Sequence, residues 1–151
     1  MANATVDDVP IPALLRASRG AYGHAVRRRL AAAGFDDLPR SGPHVLGGMV
    51  NTGLSAGQIV RELGITKQAT GQLIDTLVAR GYLGRKPDPG DRRRMLIELT
   101  PRGRAAAAEV REAVQGVDAE LRRKVSAAEL AGLRAGLVAL TEIREAFEEE
   151  S

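Results

Sequence analysis

At 151 residues the chain has the size of one ordinary domain, and the absence of Cys excludes disulfides, thiol redox sensing and thiolate metal sites. It contains no apolar run near the roughly 20 residues that span a bilayer, and its first residues carry Asp7 and Asp8 instead of a basic, then apolar, signal segment, so we expect a cytoplasmic protein. The net charge is +3, but residues 61–104 hold ten Lys and Arg against five acids, which favours a polyanionic partner such as nucleic acid.

Two helices are predicted in the first third of the chain. The first begins near Pro12, which suits the first turn of a helix, and ends at Gly34. A shorter second helix begins at Ser41 and carries apolar residues on one side. Its Gly47–Gly48 pair is unfavourable for a helix by about 1 kcal/mol per Gly.

The next segment has the pattern of two helices joined by a short turn. Ser55 and Gln58 form a capping-box pattern, which predicts a third helix that ends at Gly64. Thr66 is a suitable N-cap for a fourth helix from about Lys67 to Arg80.

A hairpin follows. Residues 82–86 and 94–99 flank a turn in which Pro89–Gly90 suits the central positions of a type II turn. In the second flank Met95, Ile97 and Leu99 alternate with more polar positions, as in a strand with one buried face.

Two long helices complete the chain. Thr100-Pro101 predicts the start of the first, and the Ser126/Glu129 capping box predicts the start of the second. Their apolar stripes are long and narrow, so each helix needs a partner, either within the chain or across a dimer axis. The stripes consist of Val110, Val114, Val117 and Leu121, and of Leu130, Leu133, Leu137, Leu140 and Phe147.

The order helix, turn, helix, hairpin suggests a function. On the fourth helix Gln68, Gln72 and Asp75 point away from the apolar side, with Lys67 and Gly71 at its flank. Gln can pair with adenine, Lys can reach guanine or phosphate, and Gly permits close approach in a major groove. The same residues could equally be the solvated face of an amphipathic helix.

The segment from Ser55 to Gly103 resembles the MarR (multiple antibiotic resistance regulator) family. Residues 91–103, DRRRMLIELTPRG, are similar to the family pattern D-x-R-x-x-x-V-x-L-T-x-x-G, with Ile97 in place of Val. Residues 77–85, LVARGYLGR, are similar to the family's join between recognition helix and wing. The resemblance implies a mainly α, winged helix-turn-helix fold with a small β-hairpin wing and with N- and C-terminal dimerisation helices.

The resemblance also implies a function and its residues. We expect a homodimeric regulator of transcription, a repressor, that binds a near-palindromic operator in double-stranded DNA and is released by a small-molecule effector. Arg93 would enter the minor groove, held by Asp91, although a purely structural ion pair between the two is the alternative. The implied DNA-binding residues are Thr66, Lys67, Gln68, Thr70, Gly71 and Gln72 on the recognition helix, and Arg85, Asp91, Arg92, Arg93 and Arg94 in the wing.

The family's effector pocket lies between the dimer helices and the DNA-binding lobe. By location only, its candidates here are Tyr22, His24, His44 and Met49. His24 and His44 could bind an anion or a metal, but an isolated His is more often an ordinary surface or core residue. Two His without Cys make a dedicated transition-metal site improbable, and we expect no cofactor.

We expect one domain over residues 1–151, with dimerisation helices at about 10–34 and 101–148 and the winged helix-turn-helix at about 41–100. Two rivals compete with the DNA-binding reading. An enzyme is disfavoured because the sequence has no Walker loop, dinucleotide fingerprint, nucleophile elbow or His-Glu metal helix, and Asp36-Asp37 resemble loop acids. A winged helix that binds protein or RNA is disfavoured by the basic wing and by the lack of aromatic stacking residues.

Overall fold

The computed structural model describes residues 8–52, 55–62, 65–91, 93 and 95–149. Six helices and one hairpin are present there, in the predicted order and within a few residues of the predicted bounds. No helix among these residues is long and apolar enough to cross a membrane. The elements are α1 (Ile11–Ala32), α2 (Gly42–Thr52), α3 (Ala56–Glu62), α4 (Lys67–Ala79), β1 (Leu83–Pro87), β2 (Met95–Leu99), α5 (Pro101–Lys124) and α6 (Ala127–Glu149).

The predicted starts of α3, α4 and α5 are confirmed by their hydrogen bonds. The Thr66 hydroxyl accepts the backbone N–H of Ala69 at 3.2 Å, and the Thr100 hydroxyl accepts that of Gly103 at 3.0 Å. The Ser55/Gln58 box also forms: the Gln58 Oε1 accepts the backbone N–H of Ser55 at 2.8 Å. The predicted end of α3 at Gly64 lies outside the described residues.

The glycine pair in α2 has a packing role at one of its two positions. A Cβ built on Gly48 would lie 2.9 Å from Cδ1 of Ile59, whereas one on Gly47 would make an ordinary 3.6 Å contact with Val110. Ile59 itself is buried. Gly48 therefore lets α3 approach the backbone of α2, and this close approach offsets the low helix propensity of the position.

The hairpin departs from the prediction at its tip. Its strands are antiparallel, with Leu83 opposite Leu99 and Pro87 opposite Met95. The predicted type II turn is wrong, because Gly90 does not adopt the positive φ which that turn requires. Instead, the Asp88 carboxylate accepts the Gly90 N–H at 2.8 Å. The expected buried face also fails at Met95, which is 49% exposed at the outer end of β2.

The chain divides into two compact units, Met1–Val114 and Gln115–Ser151. The core of the first unit lies among the helix-turn-helix, the base of the hairpin and the start of α5. Its fully buried large side chains are Tyr82, Leu46, Ile59, Leu77, Leu83, Val45 and Val60.

The second unit holds the end of α5 and all of α6. The Ser126/Glu129 box begins α6 as predicted, since the Glu129 carboxylate accepts the backbone N–H of Ser126 at 2.8 Å. The hydrogen bond from the Ser126 hydroxyl to the same carboxylate is the main reason that the pKa of Glu129 lies below its usual value. Large apolar side chains on α6 are exposed: Leu133, Leu137, Val138, Leu140, Ile143 and Phe147.

Candidate nucleic-acid interface

One face of α4 presents polar side chains and no bulky apolar group. Lys67, Gln68, Gly71 and Gln72 are all exposed. The apolar side of the same helix turns inward, where Leu77 is fully buried. This is the arrangement that the helical spacing predicts, and it leaves hydrogen-bonding groups available to a partner along the first two turns.

The two threonines assigned to this helix are already engaged within it. The Thr66 hydroxyl caps the helix, and the Thr70 hydroxyl donates to the Thr66 carbonyl at 2.9 Å. Thr70 is also half-buried. The Thr66 hydroxyl keeps its own proton for a partner, because capping uses it only as an acceptor.

Gly71 has no steric reason to lack a side chain. A Cβ built at this position meets no atom within 4 Å. Gly within a helix is unfavourable by roughly 0.5–1 kcal/mol relative to Ala. Gly20, Gly116, Gly132 and Gly136 also lie within helices with open space at the Cβ position, so open space at Gly71 does not by itself identify a contact surface.

An ion pair joins the recognition helix to the wing. Arg85 of β1 donates to the carboxylate of Asp75 on α4, and both side chains are well exposed. The family resemblance implied that Arg85 is a DNA-binding residue of the wing, and it did not indicate the ion-pair partner. The pairing depends on how α4 meets β1, which no local pattern encodes.

At the wing tip Asp91 holds Arg93 through its backbone. The Asp91 carboxylate accepts the Arg93 N–H at 3.0 Å, which fixes the tip and leaves the guanidinium exposed. No ion pair forms between the side chains of these two described residues, so the purely structural alternative receives no support. Arg92 and Arg94 lie outside the described residues.

The base of the wing contains a polar cluster that the sequence did not reveal. The hydroxyl of the buried Tyr82 donates to the carboxylate of Asp37, and Arg102 reaches the same carboxylate at 2.8 Å. The Arg102 guanidinium also lies over the Tyr82 ring, 4.7 Å from its centroid. Asp37 was predicted to be an ordinary loop acid, and its partners are 45 and 65 residues away, so no spacing rule could have linked them.

These contacts shift two pKa values. The hydrogen bond from Tyr82, helped by the charge of Arg102, holds the pKa of Asp37 below its usual value. Burial is the main reason that the pKa of the Tyr82 hydroxyl lies above its usual value, and the hydrogen bond to Asp37 adds to it. Near neutral pH the cluster therefore contains a carboxylate, a neutral phenol and a guanidinium.

The effector candidates differ in exposure. Tyr22 on α1 and Met49 on α2 are half-buried, whereas His24 and His44 are exposed. Met49 packs against the core of the first unit. No group of His, Asp and Glu that could hold a metal ion occurs within the described ranges.

Comparisons with known proteins agree with this architecture. A family model described as the MarR family matches residues 36–94. The solved structure of RV1404 from Mycobacterium tuberculosis is 29% identical, with a TM-score of 0.66 over 94% of this chain and 96% of that chain. Wild-type MarR from E. coli in its apo form is 23% identical, with a TM-score of 0.61 over 87% of this chain and 96% of that chain.

A curated relative matches over a shorter region. The LexA repressor of Deinococcus radiodurans is 40% identical over 60 residues, which are 40% of this chain and 27% of that protein. The chain thus spans about a quarter of the length of this relative.

Proposed function

We propose that this chain, whose residues 36–94 match the MarR family model, is a sequence-specific regulator of transcription that binds double-stranded operator DNA. The observation that carries the proposal is the exposed polar face of α4 beside an exposed wing-tip arginine. Gln68 and Gln72 would read base edges in the major groove, and Arg93 would enter the adjacent minor groove. Thr66, Lys67 and Thr70 would help to position the helix on the backbone. With a DNA target we also propose a cytoplasmic location.

The proposal assigns different tasks to different residues of the site. Lys67 and the wing-tip arginines 92, 93 and 94 would supply charge to the phosphate backbone, which raises affinity for all sequences. The amides of Gln68 and Gln72 carry no charge. They would instead discriminate between bases, since each can donate one hydrogen bond to adenine and accept another from it in one plane. Sequence preference should therefore depend on the glutamines, and salt dependence on the cations.

The test is a selection of duplexes from a random-sequence pool by the purified full-length protein. Its affinity for the selected duplex is then compared with that for a scrambled duplex of equal length and composition, at about 0.15 M salt. A regulator should prefer the selected duplex by at least about 1,000-fold. Equal affinity for the two duplexes would refute operator recognition, and no binding to either would favour a protein or RNA partner.

We further propose that the protein acts as a homodimer, so that each subunit places one α4 in a half-site. The support comes from exposed apolar residues on two helices, taken separately: Ile11, Leu14 and Leu15 on α1, and Leu133, Leu137 and Phe147 on α6. Burial of these apolar side chains in a dimer interface would lower the free energy, because it removes apolar surface from water. Light scattering of the purified protein tests this: a mass of one chain at micromolar concentration would contradict it.

Release from DNA by a small-molecule effector, and with it repression, is the last part of the proposal. Tyr22, His24, His44 and Met49 are the candidate pocket residues, on α1 and α2. A ligand that binds only the free protein raises its thermal midpoint and weakens DNA binding in proportion. Screening small organic anions by thermal shift, followed by titration against the selected duplex, tests both effects. A compound that shifts the midpoint and leaves DNA affinity unchanged would not be an effector.

A further inference from the structure

Asp75, which forms an ion pair with Arg85, is an acidic residue on the face of α4 that would contact DNA. Gln72 follows Gln68 by four residues and Asp75 follows Gln72 by three, so the three side chains share one stripe. Its side chain is 65% exposed and that of Arg85 is 45% exposed. The remaining exposed residues of this face are neutral or basic: Lys67, Gln68, Gly71 and Gln72.

We propose that Asp75 limits the affinity of the protein for DNA by neutralising Arg85. The inference rests on the proposed DNA-binding function. In the wild-type protein Arg85 is paired with the Asp75 carboxylate and contributes little to the phosphate contacts. The pair thus competes with the DNA backbone, because the Arg85 N–H that donates to the Asp75 carboxylate cannot also donate to a phosphate, and the carboxylate charge offsets that of the guanidinium.

The magnitudes favour this role over a role in stability. An exposed ion pair contributes little to folding, because water and salt screen it and both side chains lose freedom. One additional phosphate contact steepens the dependence of log affinity on log salt concentration by about 0.9. At 0.15 M salt this corresponds to about a 5-fold gain in affinity. Removal of the acid should therefore alter DNA binding more than it alters the fold.

A freed Arg85 should raise affinity for every duplex by the same factor. Phosphates are present on every duplex, so a freed Arg85 adds the same contact to the selected and to the scrambled sequence. The ratio of the two affinities should stay within about 2-fold of wild type, since backbone contacts carry no base information. Asp75 would then set the strength and salt dependence of binding while the glutamines set its preference.

The experiment compares four proteins with wild type by fluorescence anisotropy at several salt concentrations. They are Asp75→Asn, Arg85→Gln, the double variant and the control Glu120→Gln. The control removes the acid of another exposed ion pair, between Glu120 and Arg123 at 2.9 Å, and changes the net charge by the same amount. The probes are the duplex selected by the wild-type protein and its scrambled counterpart, and thermal midpoints establish that each variant folds.

We expect Asp75→Asn to bind both duplexes about 5-fold more tightly and with a steeper salt slope, and the double variant to return close to wild type. Arg85→Gln alone should weaken binding to both duplexes by up to about 5-fold, because it leaves the Asp75 carboxylate without this partner on the same face. An unchanged or weaker Asp75→Asn variant, an equal gain in Glu120→Gln, or a loss confined to the selected duplex would overturn the inference. A wild-type protein without sequence preference would refute the proposed function itself, which keeps the two failures distinct.

Discussion

Gly71→Ala should stabilise the protein and weaken its binding to DNA, and the opposite signs make this substitution informative. Gly71 lies in the second turn of α4, where a Cβ meets no atom within 4 Å. Ala at an exposed helical position is more favourable than Gly by roughly 0.5–1 kcal/mol, because it restricts the unfolded chain and adds no clash. For a chain of this length that corresponds to a rise of about 1–4 °C in the thermal midpoint.

The same methyl group would stand between the helix and the bases. If α4 enters the major groove with this face, the methyl either displaces the helix or desolvates a base edge without a partner. A buried polar group left without its hydrogen bond costs about 1–3 kcal/mol, so affinity for the selected duplex should fall about 5- to 150-fold.

Circular dichroism melts and anisotropy titrations measure the two effects on the same preparations, at one protein concentration because a dimer's midpoint depends on it. Gly20→Ala is a matched control: Gly20 lies within α1, is exposed and also has open space around its Cβ position. It should show the same thermal gain with DNA affinity unchanged. A Gly71→Ala protein that is more stable and binds DNA as tightly as wild type would remove this face of α4 from the interface.

Four further predictions test other parts of the site. Arg93→Ala should weaken binding to the selected duplex by about 1–3 kcal/mol with an unchanged thermal midpoint, and unaltered affinity would remove the wing tip from the mechanism. Gln68→Ala and Gln72→Ala should lower the preference for the selected over the scrambled duplex, and equal weakening on both would mean that they do not read bases. Gly103→Ala should lower stability in urea by about 1–3 kcal/mol, since its Cβ would fall 2.0 Å from a backbone carbonyl; an unchanged midpoint would contradict the packing of α5 on the wing. Because the pKa of Asp37 is lowered in the fold, its contribution to stability is present above the ordinary Asp value and is lost as pH falls through the folded value. Asp37→Asn should therefore flatten the loss of stability below about pH 4, and an identical acid profile would refute this.

Local rules predicted the helices and most of their ends. Capping boxes at Ser55 and Ser126 and the N-cap at Thr66 are short-range hydrogen-bond patterns, and each formed as expected. The expected position of Gly34 after α1 was also correct, since it adopts a positive φ of 81°. These features depend on residues within one turn of each other, so the sequence contains all the necessary information.

Features that depend on contacts between elements could not be predicted. The Asp75–Arg85 pair, the Asp37 cluster and the role of Gly48 each join residues from different elements. The turn at Gly90 failed for a related reason. Several turn types fit a Pro-Gly sequence, and here the side chain of Asp88 satisfies the Gly90 N–H without the positive φ of a type II turn. The exposure of Met95 near the tip of the hairpin likewise depends on where the strand lies relative to the core. The alternation of apolar and polar residues along the strand does not specify that position.

The wing is fixed at its base by contacts from several elements, and at its tip by short-range contacts only. At the base the Tyr82 carbonyl accepts the Thr100 backbone N–H and hydroxyl, each at 3.1 Å, and the missing side chain of Gly103 leaves room for that carbonyl. At the tip the described contacts join residues two positions apart, through Asp88 and Asp91. Substitutions at the base should therefore shift the whole hairpin relative to α4 and change affinity for every duplex. Asp37→Asn should have the same effect above pH 5, where Asp37 of the wild-type protein is ionised. Substitution of an exposed tip side chain removes one contact and leaves the frame in place. The ratio of selected to scrambled affinity, measured beside the absolute affinity, separates these two kinds of defect.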